Sequence, residues 1–315
     1  MIIVTGGAGF IGSNLIKNLN KKGFKKIIIV EDLTNGNKFR NLLDLEFEDI
    51  WDFENLITKI KKIKKIDVIF HQGAISTTTE WNGKKMLHHN YDFSKQILEI
   101  AINFNSQFIY ASSASVYGVG NKFEEDKNNE KPINVYGYSK LLFDNYVRKL
   151  TQKKFTKNQI IGLRYFNVYG PGEEYKNDMS SVIFKLNAQI KDLGYLKLFK
   201  GYHGYKDGQQ ERDFVYIDDI ININLWFMEN KKISGIFNVG TGKTCTFNNV
   251  ANEIIKSYNL KKNKSIKYID MPSNLINSYQ SFTKADITKL VKAGYKKKFI
   301  PINVGIEKYL KYLNY

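Results

Sequence analysis

Met1-Ile2-Ile3-Val4-Thr5-Gly6-Gly7-Ala8-Gly9-Phe10-Ile11-Gly12 opens the chain and decides its fold. Ile2, Ile3 and Val4 form a short apolar β-branched run, the pattern of a strand buried on both faces. Gly6, Gly9 and Gly12 follow, and then an amphipathic stretch from Asn14 to Leu19. Strand, glycine turn and helix in this order suit a phosphate. Glycine lets the backbone turn tightly and leaves no Cβ in the way of a pyrophosphate. The helix N-terminus offers unpaired N–H groups at the positive end of its dipole. The spacing is GxxGxxG rather than GxGxxG, so by itself the turn also fits a strand-to-helix bend with no ligand.

Outward from this turn, apolar runs alternate with helical patterns. Strands are predicted over Lys26–Val30, Leu45–Ile50, Val68–Phe70, Phe108–Ala111 and Ile160–Leu163. Helices are predicted over Phe53–Ile63, Met86–Asn103 and Tyr136–Leu150. Such alternation means the α/β class with a doubly wound parallel Rossmann sheet, whose ligands bind at the C-terminal strand ends. The loops at those ends are Gly6–Gly12, Glu31-Asp32, Gly73–Ser76, Ser112–Ser115 and Tyr165–Gly170. Beyond residue 166 the pattern loosens into helices near Ser180–Lys191, Asp218–Glu229, Phe247–Tyr258 and Val304–Leu313, with strands near Asp213–Ile217, Gly235–Val239 and Ile266–Ile269. A smaller α+β C-terminal substrate domain is expected, interleaved with the first. The division falls at 1–166 plus 214–242 for the dinucleotide domain and 167–213 plus 243–315 for the substrate domain.

Composition narrows the function classes. A chain of 315 residues with 43% hydrophobic residues buries a large core, and no apolar run reaches the span of a bilayer, so no membrane partner is expected. No basic n-region precedes the first apolar residues, so no signal peptide is expected. Cys245 is the single cysteine, which fits a reducing cytoplasm, and His71, His88, His89 and His203 with it make no zinc pattern. The formal charge of +17 comes almost wholly from lysine, spread along the chain without an aromatic-interleaved motif. That excludes a nucleic-acid partner as the favoured reading and leaves a surface attractive to small anions.

Two further segments carry chemistry. Tyr136 and Lys140, in Tyr136-Gly137-Tyr138-Ser139-Lys140, stand i and i+4 and share one face of a helix. An ammonium beside a phenol stabilises the phenolate, which would lower the phenol pKa and equip it as a base. Ser113, in Ser112-Ser113-Ala114-Ser115, follows a strand at the same sheet edge, where its hydroxyl can bond a substrate oxygen.

Glycine turn, strand-end serine and YxxxK on a βαβ framework resemble the extended short-chain dehydrogenase/reductase family. The resemblance implies a catalytic set of Ser113, Tyr136 and Lys140, with Tyr136 exchanging a proton with a substrate hydroxyl, Lys140 holding the nicotinamide ribose and Ser113 orienting the oxygen. More narrowly, Asp32–Asp44 (DLTNGNKFRNLLD), Ser76–Gly83 (STTTEWNG), Asn134–Lys140 (NVYGYSK), Arg164–Pro171 (RYFNVYGP), Arg212–Tyr216 (RDFVY) and Tyr279–Asp286 (YQSFTKAD) are similar, end to end, to the family of ADP-L-glycero-D-manno-heptose 6-epimerases. That likeness implies inversion of C6 of ADP-D-glycero-D-manno-heptose, for lipopolysaccharide inner core, through a transient 6-ketone and return of the hydride by a retained cofactor. It adds Lys176 as the second acid/base group. It implies NADP, with NAD possible, held by Gly6, Gly9, Phe10, Ile11, Gly12, Glu31, Asp32, Lys38, Gln72, Gly73, Ala74, Ile75, Ser76, His89, Asn90, Lys140, Val168 and Lys176. For the sugar nucleotide it implies Ser113, Asn167, Asp178, Lys185, Phe199, Lys200, Gly201, Tyr202, Arg212 and Tyr279, and a homo-oligomer, pentameric in that family.

Departures bear on specificity. Glu31 suits the 2′-hydroxyl of NAD, whereas Lys38 suits a 2′-phosphate. Phe53 stands where the family often has lysine, and His89-Asn90 replaces an Asn-Asn pair. Asp178 and Lys185 replace Ser and His, and the loop Tyr202–Glu211 is long. The alternatives are another nucleotide-sugar epimerase, such as a UDP-hexose 4-epimerase, and a non-catalytic NADP-binding protein. Ala114-Ser115, where a dehydratase would carry Asp-Glu, argues against that reaction, and the intact Ser113–Tyr136–Lys140 set argues against a non-catalytic protein.

Overall fold

β1 (Ile2–Thr5) lies at the centre of a seven-stranded sheet, and every one of its residues is buried. The structure, a computed structural model, describes residues 1–153, 156–261, 265–272 and 279–314. Around β1 are β2 (Ile27–Val30), β3 (Asp49–Trp51), β4 (Val68–His71), β5 (Gln107–Ser113), β6 (Ile160–Tyr165) and β7 (Gly235–Val239). The order is β7-β6-β5-β4-β1-β2-β3, and every neighbouring pair is parallel. β1, β2, β4 and β6 are buried along their whole length because helices cover both faces, which is why these strands read as continuous apolar runs.

One face is covered by α1 (Phe10–Lys21), through Leu15, Ile16 and Leu19, and by a later helix, Ile217–Glu229, through Ile220 and Ile221. The other is covered by α2 (Phe93–Asn103) and α3 (Val135–Gln152), through Ile97, Leu98, Phe143 and Val147. The chain builds β2 and β3 on one side of β1 and then returns to β4 on the other. The connections therefore diverge above β1 and β4 and leave a crevice at their C-terminal ends. The remaining strands pair in twos: Asn167–Tyr169 with Phe214–Tyr216, Leu196–Phe199 with Ile266–Ile269, and Glu211–Arg212 with Cys245–Thr246. No helix among the described residues is long and apolar enough to cross a membrane.

Three elements differ from the sequence expectation. The third strand is Asp49–Trp51, not Leu45–Ile50, because Ile28–Val30 pairs with Asp49–Trp51, and the Trp51 carbonyl accepts the Glu31 N–H. Leu45 and Phe47 instead pack half-buried against the core. The helix expected at Phe53–Ile63 is a 3₁₀ turn, Phe53–Asn55, capped by Asp52, followed by one short turn, Leu56–Ile60. The helix expected at Met86–Asn103 is continuous from Gly83 to Asn103 but carries a π turn over His88–Asp92, which brings Asn90 wholly into the interior.

Candidate active site

The glycine turn is shaped by backbone contact. Gly6 has φ +67°, and a Cβ on Gly12 would stand 2.1 Å from the Gly6 carbonyl oxygen. The Ala8 N–H donates to Glu31 Oε2 at 3.0 Å, tying the turn to the end of β2. Above it opens a cavity of about 480 Å³, lined by Gly6, Phe10–Gly12, Glu31, Lys38, Gln72–Thr77, Ser113, Tyr136, Lys140, Val168, Tyr175 and Lys176. Most of the residues expected at a cofactor, Asp32, His89 and Asn90 excepted, and those expected at the chemistry therefore face one space.

Ser113 ends β5, and Tyr136 stands in the first turn of α3, whose N-cap Asn134 accepts the Gly137 N–H at 2.7 Å. The Ser113 hydroxyl and the Tyr136 phenol line the cavity together. Burial raises the phenol pKa, and the Ser113 hydroxyl works against that rise. This is the reverse of the lowering expected from Lys140, and the physical reason is where the lysine points. Its Nζ donates to the Ala111 carbonyl at 2.9 Å, and burial brings its own pKa down to about 8 against the pull of Asp144.

The floor of the cavity is held from below. Thr5 Oγ1 accepts the Gly73 N–H at 3.0 Å and lies 2.7 Å from His71 Nδ1, so its hydroxyl donates to the ring. His71 Nε2 lies 2.7 Å from Ser94 Oγ, which donates to the Asn90 carbonyl. Burial lowers the His71 pKa to about 3, so the ring is neutral and works as a relay of hydrogen bonds, not as a charge. Asn90 does not line the cavity. Its amide accepts from Ile75 N–H and donates to the Ile75 carbonyl and the Ser139 hydroxyl, fixing the Gly73–Ser76 loop to α3.

Lys176 enters from the opposite wall on a 3₁₀ segment, Glu174–Met179. Its Nζ stands 5.5 Å over the Phe10 ring, and burial lowers its pKa while Glu173 opposes the shift. Lys38 Nζ is 3.0 Å from Glu31 Oε1 and donates to the Asp32 carbonyl at 3.0 Å. Asp32 and His89 line a side cavity of about 140 Å³ with Glu31, Lys38, Phe53 and Phe93. The two groups that pull cofactor choice in opposite directions thus neutralise each other.

A second cavity of about 490 Å³ is lined by Ser115, Asn134, Asn167, Lys185, Phe199, Arg212 and Tyr279. The Arg212 guanidinium is buried between the rings of Phe247 and Tyr279, 5.7 and 5.0 Å away. It donates to the Glu211 carbonyl at 3.1 Å, and its burial lowers its pKa. A desolvated cation beside an open cavity is a receptor for an anion. Asp178, Lys200, Gly201 and Tyr202 line neither large cavity. Lys200 pairs with Asp270, Tyr202 stacks on His203, and the Asp178 carbonyl accepts from Lys185 Nζ. Sequence reasoning missed Thr77, Tyr165 and Tyr175 in the first cavity and Lys197, Ile269 and Gln280 in the second. Tyr165 sits inside the RYFNVYGP segment and could have been found there, whereas Lys197 and Ile269 reach the cavity only through the parallel pairing of Leu196–Phe199 with Ile266–Ile269.

A model of the NAD dependent epimerase/dehydratase family matches residues 2–240. Among solved structures, the ADP-L-glycero-D-manno-heptose-6-epimerase of Helicobacter pylori is 32% identical, with 99% of this chain and 96% of that chain covered and a TM-score of 0.86. The UDP-N-acetylglucosamine 4-epimerase of Methanobrevibacter ruminantium, in complex with UDP-N-acetylmuramic acid, is 26% identical over 99% and 97% of the two chains, with a TM-score of 0.85. The UDP-glucuronic acid 4-epimerase of Bacillus cereus, in complex with UDP-glucuronic acid and NAD, is 25% identical over 99% and 98%, with a TM-score of 0.83.

Proposed function

We propose a function on the premise that this chain belongs to the NAD dependent epimerase/dehydratase family: it inverts one carbinol carbon of a nucleotide sugar, and that carbon is C6 of ADP-D-glycero-D-manno-heptose. The observation that carries the reading is that Tyr136 and Lys176, two half-buried titratable groups on different elements, line one cavity with Ser113 and the glycine turn. Inversion exchanges the hydroxyl between the two faces of one carbon, and two such groups can serve one face each. The division of labour follows the two lobes, with residues 1–166 and 214–242 for the dinucleotide and 167–213 and 243–315 for the sugar nucleotide.

The residues fit a nicotinamide dinucleotide. A side chain at Gly9 or Gly12 would press on the Gly6 carbonyl, so the backbone must be bare where a diphosphate approaches, and Glu31 stands where an adenosine ribose would meet the end of β2. When bound, the dinucleotide supplies the hydride acceptor and donor. The chain does the rest. Ser113 orients the substrate oxygen, Tyr136 and Lys176 hold and return its proton, and Lys140 carries a positive charge beneath the cofactor ribose. In the second cavity Arg212 grips the diphosphate, and Asn167 lines the same cavity. A UDP-hexose 4-epimerase is the second reading, favoured by equally complete likeness to two UDP-sugar 4-epimerases. Purified protein incubated separately with ADP-D-glycero-D-manno-heptose and UDP-galactose, with the product configuration read by NMR, separates the two. Turnover of the galactose nucleotide and none of the heptose would sink the first reading.

Cofactor choice rests on Glu31 and Lys38. Resemblance implies NADP, while a carboxylate already paired with Lys38 favours the 2′-hydroxyl of NAD. Glu31→Gln keeps an acceptor for the Ala8 N–H and removes the negative charge. It should shift the ratio of dissociation constants by roughly tenfold or more toward NADP, since like charges in contact cost several kcal/mol. An unchanged ratio in fluorescence titrations would remove Glu31 from the selection.

A further inference from the structure

Tyr175 is a residue that neither the motifs nor the resemblance singles out. It belongs to the 3₁₀ segment Glu174–Met179, which crosses the mouth of the glycine turn. Its hydroxyl accepts the N–H of Phe10, the first amide of α1, at 2.8 Å. It also lies close over Gly9, since a Cβ there would be 3.2 Å from Tyr175 Oη. Among the described residues the hydroxyl makes no other hydrogen bond, so its own proton is left to donate. Burial pushes the phenol up to about 12, which keeps that proton in place at neutral pH.

The segment is built into this position from both ends. Upstream, Asn14 donates to the Pro171 carbonyl at 2.8 Å, and Asn41 bridges the carbonyls of Ala8 and Gly172 at 3.0 and 3.1 Å. The fully buried Glu173 carboxylate accepts from Gly170 N–H and from the Ser181 amide and hydroxyl. Downstream, Asn177 is held at φ +47°, in the region that favours glycine, with its carbonyl accepting from Ser180. Strain of this kind persists only where the surroundings over-determine the conformation.

We propose that Tyr175 is a cofactor-retaining residue: taking the Phe10 N–H with its oxygen, it presents its O–H to the diphosphate of the bound dinucleotide and so extends the helix N-terminus by one donor. This rests on the dinucleotide reading of the cavity. It gives the strap two tasks, because Lys176 follows directly in the chain. A catalyst that returns the hydride to the same carbon must not lose its cofactor between the two transfers. The strap ties retention to the placement of the second acid/base group.

The test compares wild type with Tyr175→Phe, which keeps the ring and removes the hydroxyl. Holoenzyme is challenged with excess isotopically labelled dinucleotide to read the dissociation rate, and cofactor-free protein is titrated with ADP-ribose and with adenosine. A hydrogen bond to a charged group is at stake, so the variant should release dinucleotide roughly tenfold faster or more, and bind ADP-ribose weaker by the same factor. Adenosine, which lacks the diphosphate, should bind both proteins equally, and this also shows that the variant folds. Unchanged ADP-ribose affinity overturns the proposal. So does equal weakening for both ligands, which would make Tyr175 a packing residue, and so does tighter binding, which would make its hydroxyl a competitor for the Phe10 amide. Wild type that binds neither dinucleotide nor ADP-ribose overturns the dinucleotide reading itself.

Discussion

Tyr136→Phe should bind the sugar nucleotide and the dinucleotide as wild type does and turn over about 10²- to 10⁴-fold more slowly, the usual worth of a placed acid/base group. The ring fits the same space in the first turn of α3, and Asn134 still caps the helix, so the change removes one hydroxyl. That residue lines the same cavity as Ser113 and Lys176. The variant should also separate the two faces of the reaction. If Tyr136 and Lys176 serve opposite faces, single-turnover reduction of the bound dinucleotide should fail from one epimer and proceed from the other. Absorbance of the reduced nicotinamide, with each epimer in turn, reads this directly. Turnover within threefold of wild type would remove Tyr136 from proton transfer.

Arg164→Met should destabilise the fold by about 3–5 kcal/mol, the cost of breaking a buried ion pair by removing one partner. Arg164 is a fully buried residue of β6. It donates through Nε to Asp144 Oδ2 at 2.9 Å, through its terminal nitrogens to Glu130 Oε1 at 2.7 Å and Asp144 Oδ2 at 2.8 Å, and to the Tyr117 hydroxyl at 2.9 Å. Without it, Asp144 loses its cation in the interior and Glu130 keeps only Arg148. The effect should reach the chemistry as well. Asp144 stands one turn beyond Lys140 on α3 and also accepts from the hydroxyls of Tyr110 and Ser112 on β5, so it joins the two elements that carry Lys140, Tyr136 and Ser113. Urea unfolding gives the stability change. Adding Asp144→Leu should restore only part of it, because no charge is then orphaned but the buried hydroxyls of Tyr110 and Ser112 lose their acceptor. A loss under 1 kcal/mol for the single variant would mean that the interior admits water at Asp144.

The parallel sheet could be read from residue order because strands buried on both faces must be apolar throughout, as Ile2–Val4 and Ile27–Val30 are. Tyr136 and Lys140 could be read because four residues make one helical turn. What escaped reading depends on distance in space. The π turn at His88–Asp92 has no periodic signature, yet it turns Asn90 inward. The Lys38–Glu31 pair neutralises two residues that sequence alone sets against each other. The direction of the Tyr136 pKa was misjudged because burial, which no local spacing reports, outweighs a lysine whose ammonium is spent on the Ala111 carbonyl. Tyr175 and Phe10 are 165 positions apart, and only the folded chain shows that one completes the other.

The central place of β1 also sets an order of events in synthesis. Synthesis runs from the N- to the C-terminus, so β1 is made before β4, which pairs Val68 with Ile2, and the far edge closes only when Gly235–Val239 reaches β6. Until then one hydrogen-bonding edge of an Ile- and Val-rich strand stays open in the nascent chain. Such non-local parallel pairing is slow to form and exposed to aggregation meanwhile. The architecture that gives the finished protein its ligand crevice thereby gives the growing chain an interval of vulnerability.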